Sequence, residues 1–227
     1  MEVCFWVEGK ADQKFLADVI CEWFNGSITK IITTKPEVDG QELWMALNAA
    51  NTKIKILTIN GVQNILGVNA QKLKIPFQLN SQQGITNVVI IDADNNPQLR
   101  KSEIAATRNL LGEHFPCFLF PDDNATGDLE TVLETIINTA HQSIFNCWNS
   151  YELCLSNANP NYTIPAKKTK IYAYLEALHG TSNNQKEKLK ELNRSYRNPD
   201  HWILDPEQKP ILQPLKTFLR QHLQIEQ

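Results

Sequence analysis

The chain has 227 residues, of which 42% are hydrophobic and 21% charged, and its formal net charge is -3. This composition excludes a disordered or fibrous chain and predicts a folded globular protein with one large domain, or one domain with an appended lobe. This charge balance gives no indication of a strongly basic half of the chain. Any polyanionic ligand would therefore have to meet a local basic patch, or metal ions held on carboxylates.

The N-terminus opens directly on a predicted strand, without a basic leader, and no apolar run approaches the roughly 20 residues that span a bilayer. We therefore expect no membrane partner and a cytoplasmic location. The five cysteines are widely spaced and include no C-x-x-C pair, which predicts buried reduced thiols and argues against a zinc site or a redox motif.

Short apolar strands alternate with amphipathic helices through the first 140 residues. The first strand, "EVCFWV" (2–7), ends at Glu8-Gly9, and apolar residues then recur at helical spacing until Asn25-Gly26. Further strands are predicted at "ITKIITT" (28–34), "KIKILTI" (53–59), "VVII" (88–91) and "CFLF" (117–120). Further helices are predicted at "GQELWMALNAAN" (40–51), "VQNILGVNAQKL" (62–73), 103–111 and "DLETVLETIINTA" (128–140). This order predicts an α/β fold with a mostly parallel sheet flanked by helices.

Beyond residue 140 the pattern becomes helical. Helices are predicted at "TKIYAYLEALHG" (169–180), at the charged "NNQKEKLKELNRSY" (183–196), which we expect to face solvent, and at "LKTFLRQHL" (215–223). Because no linker-like stretch divides the chain, residues 141–227 are predicted to be a helical C-terminal extension packed on a domain formed by residues 1–140.

Acidic residues stand where two of the predicted strands end. Glu8 follows the first strand, and Asp92 and Asp94 follow "VVII". Sites form at the carboxyl ends of parallel strands, so we expect these acids to lie on one rim with Asn60-Gly61. If the strand continued through Asp94, the two aspartates would project to the same side. Close carboxylates repel one another unless a cation lies between them, and Mg²⁺ is a natural partner.

The stretch "VEGKAD" (7–12) followed by "VVIIDADN" (88–95) resembles the Toprim domain, the metal-binding α/β unit of topoisomerases, bacterial primases and OLD-type nucleases. That domain carries glutamate-glycine after its first strand and D-x-D after a later one. "LTINGVQNI" (57–65) and "GDLETVL" (127–133) also resemble the OLD-type members. With the closing "ILQPLKTFL", the chain is similar to a small stand-alone bacterial Toprim-like family of unknown function. The resemblance implies a Toprim-like Rossmannoid sheet over roughly residues 1–140.

The resemblance also implies roles for particular residues. Carried over by motif, Glu8, Asp92 and Asp94 would hold a first Mg²⁺ or Mn²⁺ ion, with Glu8 also counted as catalytic. Asp12 and Glu130 would lie nearest a second ion, although for Asp12 a plain helix-capping role is an equal alternative. OLD-type nucleases place a lysine near the scissile phosphate, and Lys167, Lys168 and Lys170 are available here. Of these we select Lys170; the alternative is a solvated basic turn.

Together these features predict a Mg²⁺- or Mn²⁺-dependent phosphodiester hydrolase that acts on DNA or RNA. No G-x-x-x-x-G-K-[ST] loop is present, so an ATPase working with it would have to be a separate partner chain. The alternative is a non-catalytic Toprim-like module that holds a metal or nucleotide, which the absence of an evident basic groove favours. A phosphatase with Asp92 as nucleophile is a third interpretation, but it leaves the "VEG" stretch unexplained.

Overall fold

A six-stranded sheet forms the centre of the computed structural model, which describes residues 1–33, 41–47, 52–180 and 182–225. The strands are β1 (Glu2–Val7), β2 (Gly26–Thr33), β3 (Gln41–Leu47), β4 (Thr52–Thr58), β5 (Thr86–Asp92) and β6 (Cys117–Phe120). Their order is β2-β3-β4-β1-β5-β6. Strands β4, β1, β5 and β6 are parallel, whereas β2 and β3 add an antiparallel pair at one edge. The predicted mostly parallel sheet is confirmed.

Helices cover both faces of this sheet. They are α1 (Lys10–Phe24), α2 (Gln71–Gln82), α3 (Pro97–Leu111), α4 (Leu129–Ile136), α5 (Gln142–Ala158), α6 (Lys167–His179), α7 (Asn183–Glu187) and α8 (Gln213–Leu223). Alternate residues of β1 face opposite sides, as the strand period requires. Phe5 lies in the core shared with α1, α4, α6 and α8, and Trp6 lies in the core shared with α2 and α3. In the described ranges, no helix is both long and apolar enough to cross a membrane.

The C-terminal helices contribute to the same core as the sheet. Ile171, Tyr174, Trp202 and Leu219 are buried in one cluster with Phe5. Trp202 is only 2% exposed and packs against Tyr174 with ring centroids 5.4 Å apart. Residues on either side of position 140 therefore bury apolar surface against one another, while the proposed boundary at that position stays a prediction.

The helix predicted over residues 40–51 is wrong where the structure describes it. Gln41–Leu47 is strand β3, hydrogen-bonded between β2 and β4, and residues 40 and 48–51 lie outside the described residues. Leu43, Met45 and Leu47 are buried at every second position, which is the period of a strand. Pairing on both sides overrides the helix preference of the Ala, Leu and Met residues in this segment.

The helix predicted over residues 62–73 is replaced by two 3-10 turns, Val62–Asn64 and Gly67–Ala70, and α2 begins only at Gln71. Gly67 has a φ of 61°, a left-handed conformation that a continuous α-helix excludes. The predicted helix is therefore interrupted at its glycine.

The solvent-facing helix predicted over residues 183–196 is also wrong. Helix α7 ends at Glu187, and the chain continues through a 3-10 turn at Glu191–Asn193. Leu189, Arg194 and Tyr196 are buried, because this segment packs against α1. The charged sequence of this segment does not indicate these buried contacts.

The cysteine prediction holds only in part. All five thiols are free, and Cys4 and Cys21 are buried, but Cys147 and Cys154 are exposed on α5. Helix α5 buries only Phe145 among its described residues, so most of its surface, including both thiols, is left at least partly open to solvent.

Candidate functional site

A cleft of about 280 Å³ opens at the carboxyl ends of β1, β4 and β5. The sheet side contributes residues from three strand ends and from the first turns of α1 and α4, and the C-terminal extension contributes two further side chains. The lining residues are Glu8, Gly9, Lys10, Ala11, Asp12, Asn60, Gly61, Asp92, Leu129, Glu130, Lys168 and Glu191. The cleft therefore lies on the rim that the strand ends predict.

Backbone hydrogen bonds join the end of β1 to the turn after β4. Ile59 N–H donates to the Val7 carbonyl at 2.8 Å, and Gly61 N–H donates to the Glu8 carbonyl at 3.1 Å. Asn64 Nδ2 donates to the carbonyls of Ile59 and Asn60, which holds this turn closed. The turn therefore fixes the backbone of Glu8 against its neighbouring strand.

Glu8 and Asp12 each present a buried oxygen without a hydrogen-bond partner. Asp12 Oδ2 accepts from Gly9 N–H at 2.8 Å, so this carboxylate does cap α1. Its Oδ1 atom, and Oε2 of Glu8, have no partner. Buried polar atoms are almost always hydrogen-bonded, so these two oxygens suggest a ligand. For Asp12, capping and ligand binding are compatible because they use different oxygens.

A hydrogen bond between the end of β5 and the start of α4 brings Asp92 and Glu130 together. Asp92 is the last residue of β5, and its Oδ1 atom accepts from Leu129 N–H at 3.0 Å. Glu130 follows in the first turn of α4, for which Asp128 is the N-cap. The amino end of α4 therefore holds both acids at the cleft.

Asp94 takes a different position from Asp92. Strand β5 ends at Asp92, so the assumption that it continues through Asp94 is wrong. Asp94 has a φ of 52° and exchanges two backbone hydrogen bonds with Gly127, both at 2.8 Å. Its exposed side chain forms an ion pair with Arg100 and does not line the cleft, although its charge helps to raise the pKa of Glu8.

The three candidate lysines have three different environments. Lys170, the one selected from the sequence, is buried in α6, where its Nζ atom lies 2.9 Å from Glu134 and 5.1 Å from the centre of the Phe145 ring. Lys168 lines the cleft and forms an ion pair with Glu191. Lys167 contacts the Asp128 carboxylate at 3.1 Å. The structure thus places Lys168 at the cleft and Lys170 in the interior.

Neither Asp128 nor Glu191 is among the site residues predicted from the sequence. Asp128 precedes the Leu129-Glu130 pair as an N-cap, a position that the helix-start pattern could have identified. Glu191 lies in the segment that we expected to face solvent, and no local signal connects it to the cleft.

A family comparison covers nearly the whole chain. The family described as "Protein of unknown function (DUF3226)" matches residues 3–224. The chain belongs to this DUF3226 family. The match takes in the sheet, the cleft residues and the C-terminal helices together.

Among solved structures, the DUF3226 chain is similar to the hypothetical protein PH0156 from Pyrococcus horikoshii OT3. The two share 14% sequence identity with a TM-score of 0.56, over 96% of this chain and 100% of that chain. At this identity the likeness shows the fold alone. No protein with a curated description matches the chain.

The carboxylates of the DUF3226 cleft strongly disfavour carrying charge together. Burial raises the pKa of Asp92 to about 9, and the charges of Asp12, Glu8 and Glu130 add to the rise. Burial, followed by the charge of Glu8, raises the pKa of Asp12 to about 7. The pKa values of Glu8 and Glu130 are also raised, chiefly by burial. A cation would relieve this repulsion. We refer to Glu8, Asp12, Asp92 and Glu130 as the acidic cluster.

The chemistry of the acidic cluster suits a hard divalent cation. Mg²⁺ and Mn²⁺ bind carboxylate oxygens, and two buried oxygens of the cluster have no other partner. As the side chains stand, however, no three His, Cys, Asp or Glu residues in the described ranges are grouped to hold a metal ion. A cation would therefore have to draw the carboxylates closer together.

These pKa values predict how stability depends on pH. An acid whose pKa is raised by folding contributes stability below its ordinary pKa of about 4 and loses it as the pH rises through the folded value. We expect the contribution of the acidic cluster to the free energy of unfolding of the metal-free protein to decrease as the pH rises from about 4 to about 9. The upper limit is the raised pKa of Asp92. Calorimetric melting temperatures in chelator and in Mg²⁺ would measure it. Mg²⁺ should stabilise more strongly at higher pH, and a pH-independent Mg²⁺ effect would contradict this prediction.

Proposed function

We propose that this DUF3226 protein is a divalent-metal-dependent phosphodiester hydrolase that acts on DNA or RNA. The observation that carries the proposal is the convergence of four carboxylates on one cleft, two of them with buried oxygens that lack any partner. Caps and turns account for single acids at strand ends and helix starts, but they do not account for four acids in one cleft with raised pKa values.

The acidic cluster would hold the metal. When bound, Mg²⁺ or Mn²⁺ would supply Lewis acidity at the phosphate and a water of lowered pKa. Asp92 is kept in place because its Oδ1 atom accepts a hydrogen bond from Leu129 N–H. Glu8 is fixed through its backbone by Gly61.

Lys168 is the residue best placed to meet the phosphate. It lines the cleft, and its side chain is 51% exposed, so its ammonium group can exchange Glu191 for an incoming anion. A cation at this position would neutralise charge that develops on the phosphate oxygens in the transition state. Lys10, in the first turn of α1, also lines the cleft. With a net charge of -3, the protein would rely on such local cations and on the metal to bind a polyanion.

The direct test uses the purified protein with single- and double-stranded DNA and RNA, in Mg²⁺, in Mn²⁺ and in chelator. We expect cleavage of at least one substrate with a divalent ion and none in chelator, and a melting temperature that rises with either ion. Absence of cleavage of all four substrates with both ions would overturn the proposal. If the melting temperature still rises with the ions, the result would favour the non-catalytic metal-binding module instead.

The proposal includes an ATPase partner only as a separate chain. Because the chain carries no P-loop motif, ATP-driven control of cleavage would have to come from a separate chain. Cleavage by the isolated protein would show that the activity does not require such a partner.

A further inference from the structure

Helix α5 packs less of its surface than its length and sequence require. It spans 17 residues, yet Phe145 is the only side chain that it buries fully in the part of the chain that the structure describes. Its sequence, "QSIFNCWNSYELCLSNA", is rich in asparagine, serine, cysteine and aromatic residues, which are not strong helix formers. Because most helices in proteins are stabilised by packing of an apolar face, α5 would gain stability from a further surface packed against it.

The exposed part of α5 carries a continuous apolar seam. We define the seam as Ile144, Cys147, Tyr151, Cys154 and Ala158, which follow one another at intervals of three or four residues. This spacing is the one by which helices pair in coiled coils. Ile144 is half-buried at the edge of the core, and the other four side chains are exposed. The seam therefore lies beside the face that packs on the protein and is open to solvent.

An aromatic pair lies at the middle of the seam. The ring centroids of Trp148 and Tyr151 are 5.4 Å apart in an edge-on arrangement. Trp148 Nε1 donates to Glu152 Oε1 at 2.8 Å, which holds the indole in place, and Tyr151 is 47% exposed beside it. Tryptophan and tyrosine are enriched among the residues that dominate the binding energy of protein interfaces. This pair is therefore the expected centre of a contact.

The charge of α5 indicates which partner the seam fits. Glu152 is the only charged residue of the helix, and its carboxylate is bonded to Trp148. A partner with a charged patch would find no opposite charge on the seam. Two copies of the seam would meet without like-charge repulsion, and a two-fold axis places one surface against its own copy. The seam therefore fits a second copy of this chain.

The size of the seam sets the strength of such a contact. A helix of 17 residues is about 26 Å long and about 10 Å wide. This footprint is well below the roughly 800 Å² that each partner buries in a standard interface. The pairing should therefore be reversible and depend on protein concentration, with a dissociation constant in the micromolar range.

We propose that two copies of the protein form a homodimer in which their α5 seams pack against each other about a two-fold axis. Tyr151 lies at the centre of the contact, and Cys147 and Cys154 lie about one helical turn to either side of it. None of the residues that line the cleft belongs to the seam. The inference is therefore independent of the metal site and of cleavage.

The experiment compares Tyr151→Glu with Leu153→Glu by sedimentation velocity in reducing buffer. Both side chains are exposed apolar groups of α5, but they point to nearly opposite sides of the helix. The unchanged protein should form a species of twice the 25.9 kDa chain mass as its concentration rises. Tyr151→Glu places a charge at the centre of the contact and should raise the dissociation constant about 30-fold or more. Leu153→Glu should leave it within about twofold.

The thiols of the seam allow a second measurement. A short bis-maleimide should cross-link the unchanged protein into dimers, and much less of the Tyr151→Glu variant. The double variant Cys147→Ser, Cys154→Ser should not be cross-linked, because its seam carries no thiol. Dimers that were cross-linked equally well in this double variant would place the contact elsewhere on the protein.

Sedimentation would overturn the seam contact in either of two ways. An unchanged protein that stays monomeric at about 1 mM, where a micromolar contact is saturated, would show that the seam does not pair with its copy. A dimer that both glutamate variants dissociate equally, or that neither dissociates, would show that another surface forms the contact. Equal melting temperatures of the two variants at low protein concentration would establish that both are folded.

Discussion

Replacing Asp92 with asparagine is expected to abolish metal-dependent cleavage and, at the same time, to stabilise the metal-free protein at neutral pH. Burial and four neighbouring acids raise the pKa of Asp92 to about 9. Keeping a charge at this position is therefore unfavourable without a cation, and a neutral amide of the same shape removes that penalty. The same change would remove a ligand from the proposed metal site.

Asparagine preserves the structural role of Asp92. The Leu129 N–H donates to Oδ1, and an asparagine side chain keeps an oxygen in that position, so α4 should stay in place. We expect a gain of at least about 1 kcal/mol in the free energy of unfolding in chelator, or roughly 2–4 °C in melting temperature for a chain of this size. Stabilisation by Mg²⁺ should disappear, and cleavage should fall by about 10²-fold or more.

Melting curves in chelator and in Mg²⁺, together with cleavage rates, test both halves of this prediction. Asp94→Asn is the matched control, because Asp94 has the same side chain two residues away, is exposed and is paired with Arg100 outside the cleft. It should leave the Mg²⁺ effect intact. If Asp94→Asn abolished metal stabilisation while Asp92→Asn retained it, the cleft would not be the metal site.

Lys168→Met and Lys170→Met should separate function from stability. Lys168 is half exposed at the cleft, so its loss should change the free energy of unfolding by no more than about 0.5 kcal/mol while cleavage falls about 10²-fold. Lys170 has only 10% of its side chain exposed, and its loss would leave Glu134 unpaired and remove the contact with Phe145. We expect Lys170→Met to cost about 1–3 kcal/mol of stability.

Urea unfolding and cleavage rates measured on the same preparations would check this contrast. Rates should be compared at a temperature where Lys170→Met is fully folded. There, Lys170→Met should cleave at close to the unchanged rate. Loss of cleavage in a stable Lys170→Met protein, with normal rates for Lys168→Met, would restore the choice made from the sequence.

The parallel part of the fold could be predicted because its strands are short apolar runs that end at Glu8-Gly9, Asn60-Gly61, Asp92 or Pro121. Strands β1, β4, β5 and β6 fall within a few residues of the predicted segments. Strand β3 could not be recognised in the same way, because its residues favour helix and its hydrogen-bonding partners, β2 and β4, determine its conformation. Pairing between strands is a non-local effect that a local pattern does not contain.

The carboxylates could be placed together because strand topology alone brings Glu8 and Asp92 to one rim. The conformation of Asp94 depends on its pairing with Gly127, a contact between distant parts of the chain. Which of Lys168 and Lys170 faces the cleft depends on the rotation of α6 about its axis, because residues two apart on a helix point in directions about 200° apart. Glu191 reaches the cleft through an irregular segment, whose path no periodic pattern records.

The walls of the cleft come from both halves of the chain, and this limits how the site can be transplanted. A fragment that stops near residue 140 would retain Glu8 and Asp92 but would lack Lys168 and Glu191, and it would expose Phe15, which Tyr196 covers. The unit that carries the cleft is thus the chain through α8, in keeping with a family match that reaches residue 224.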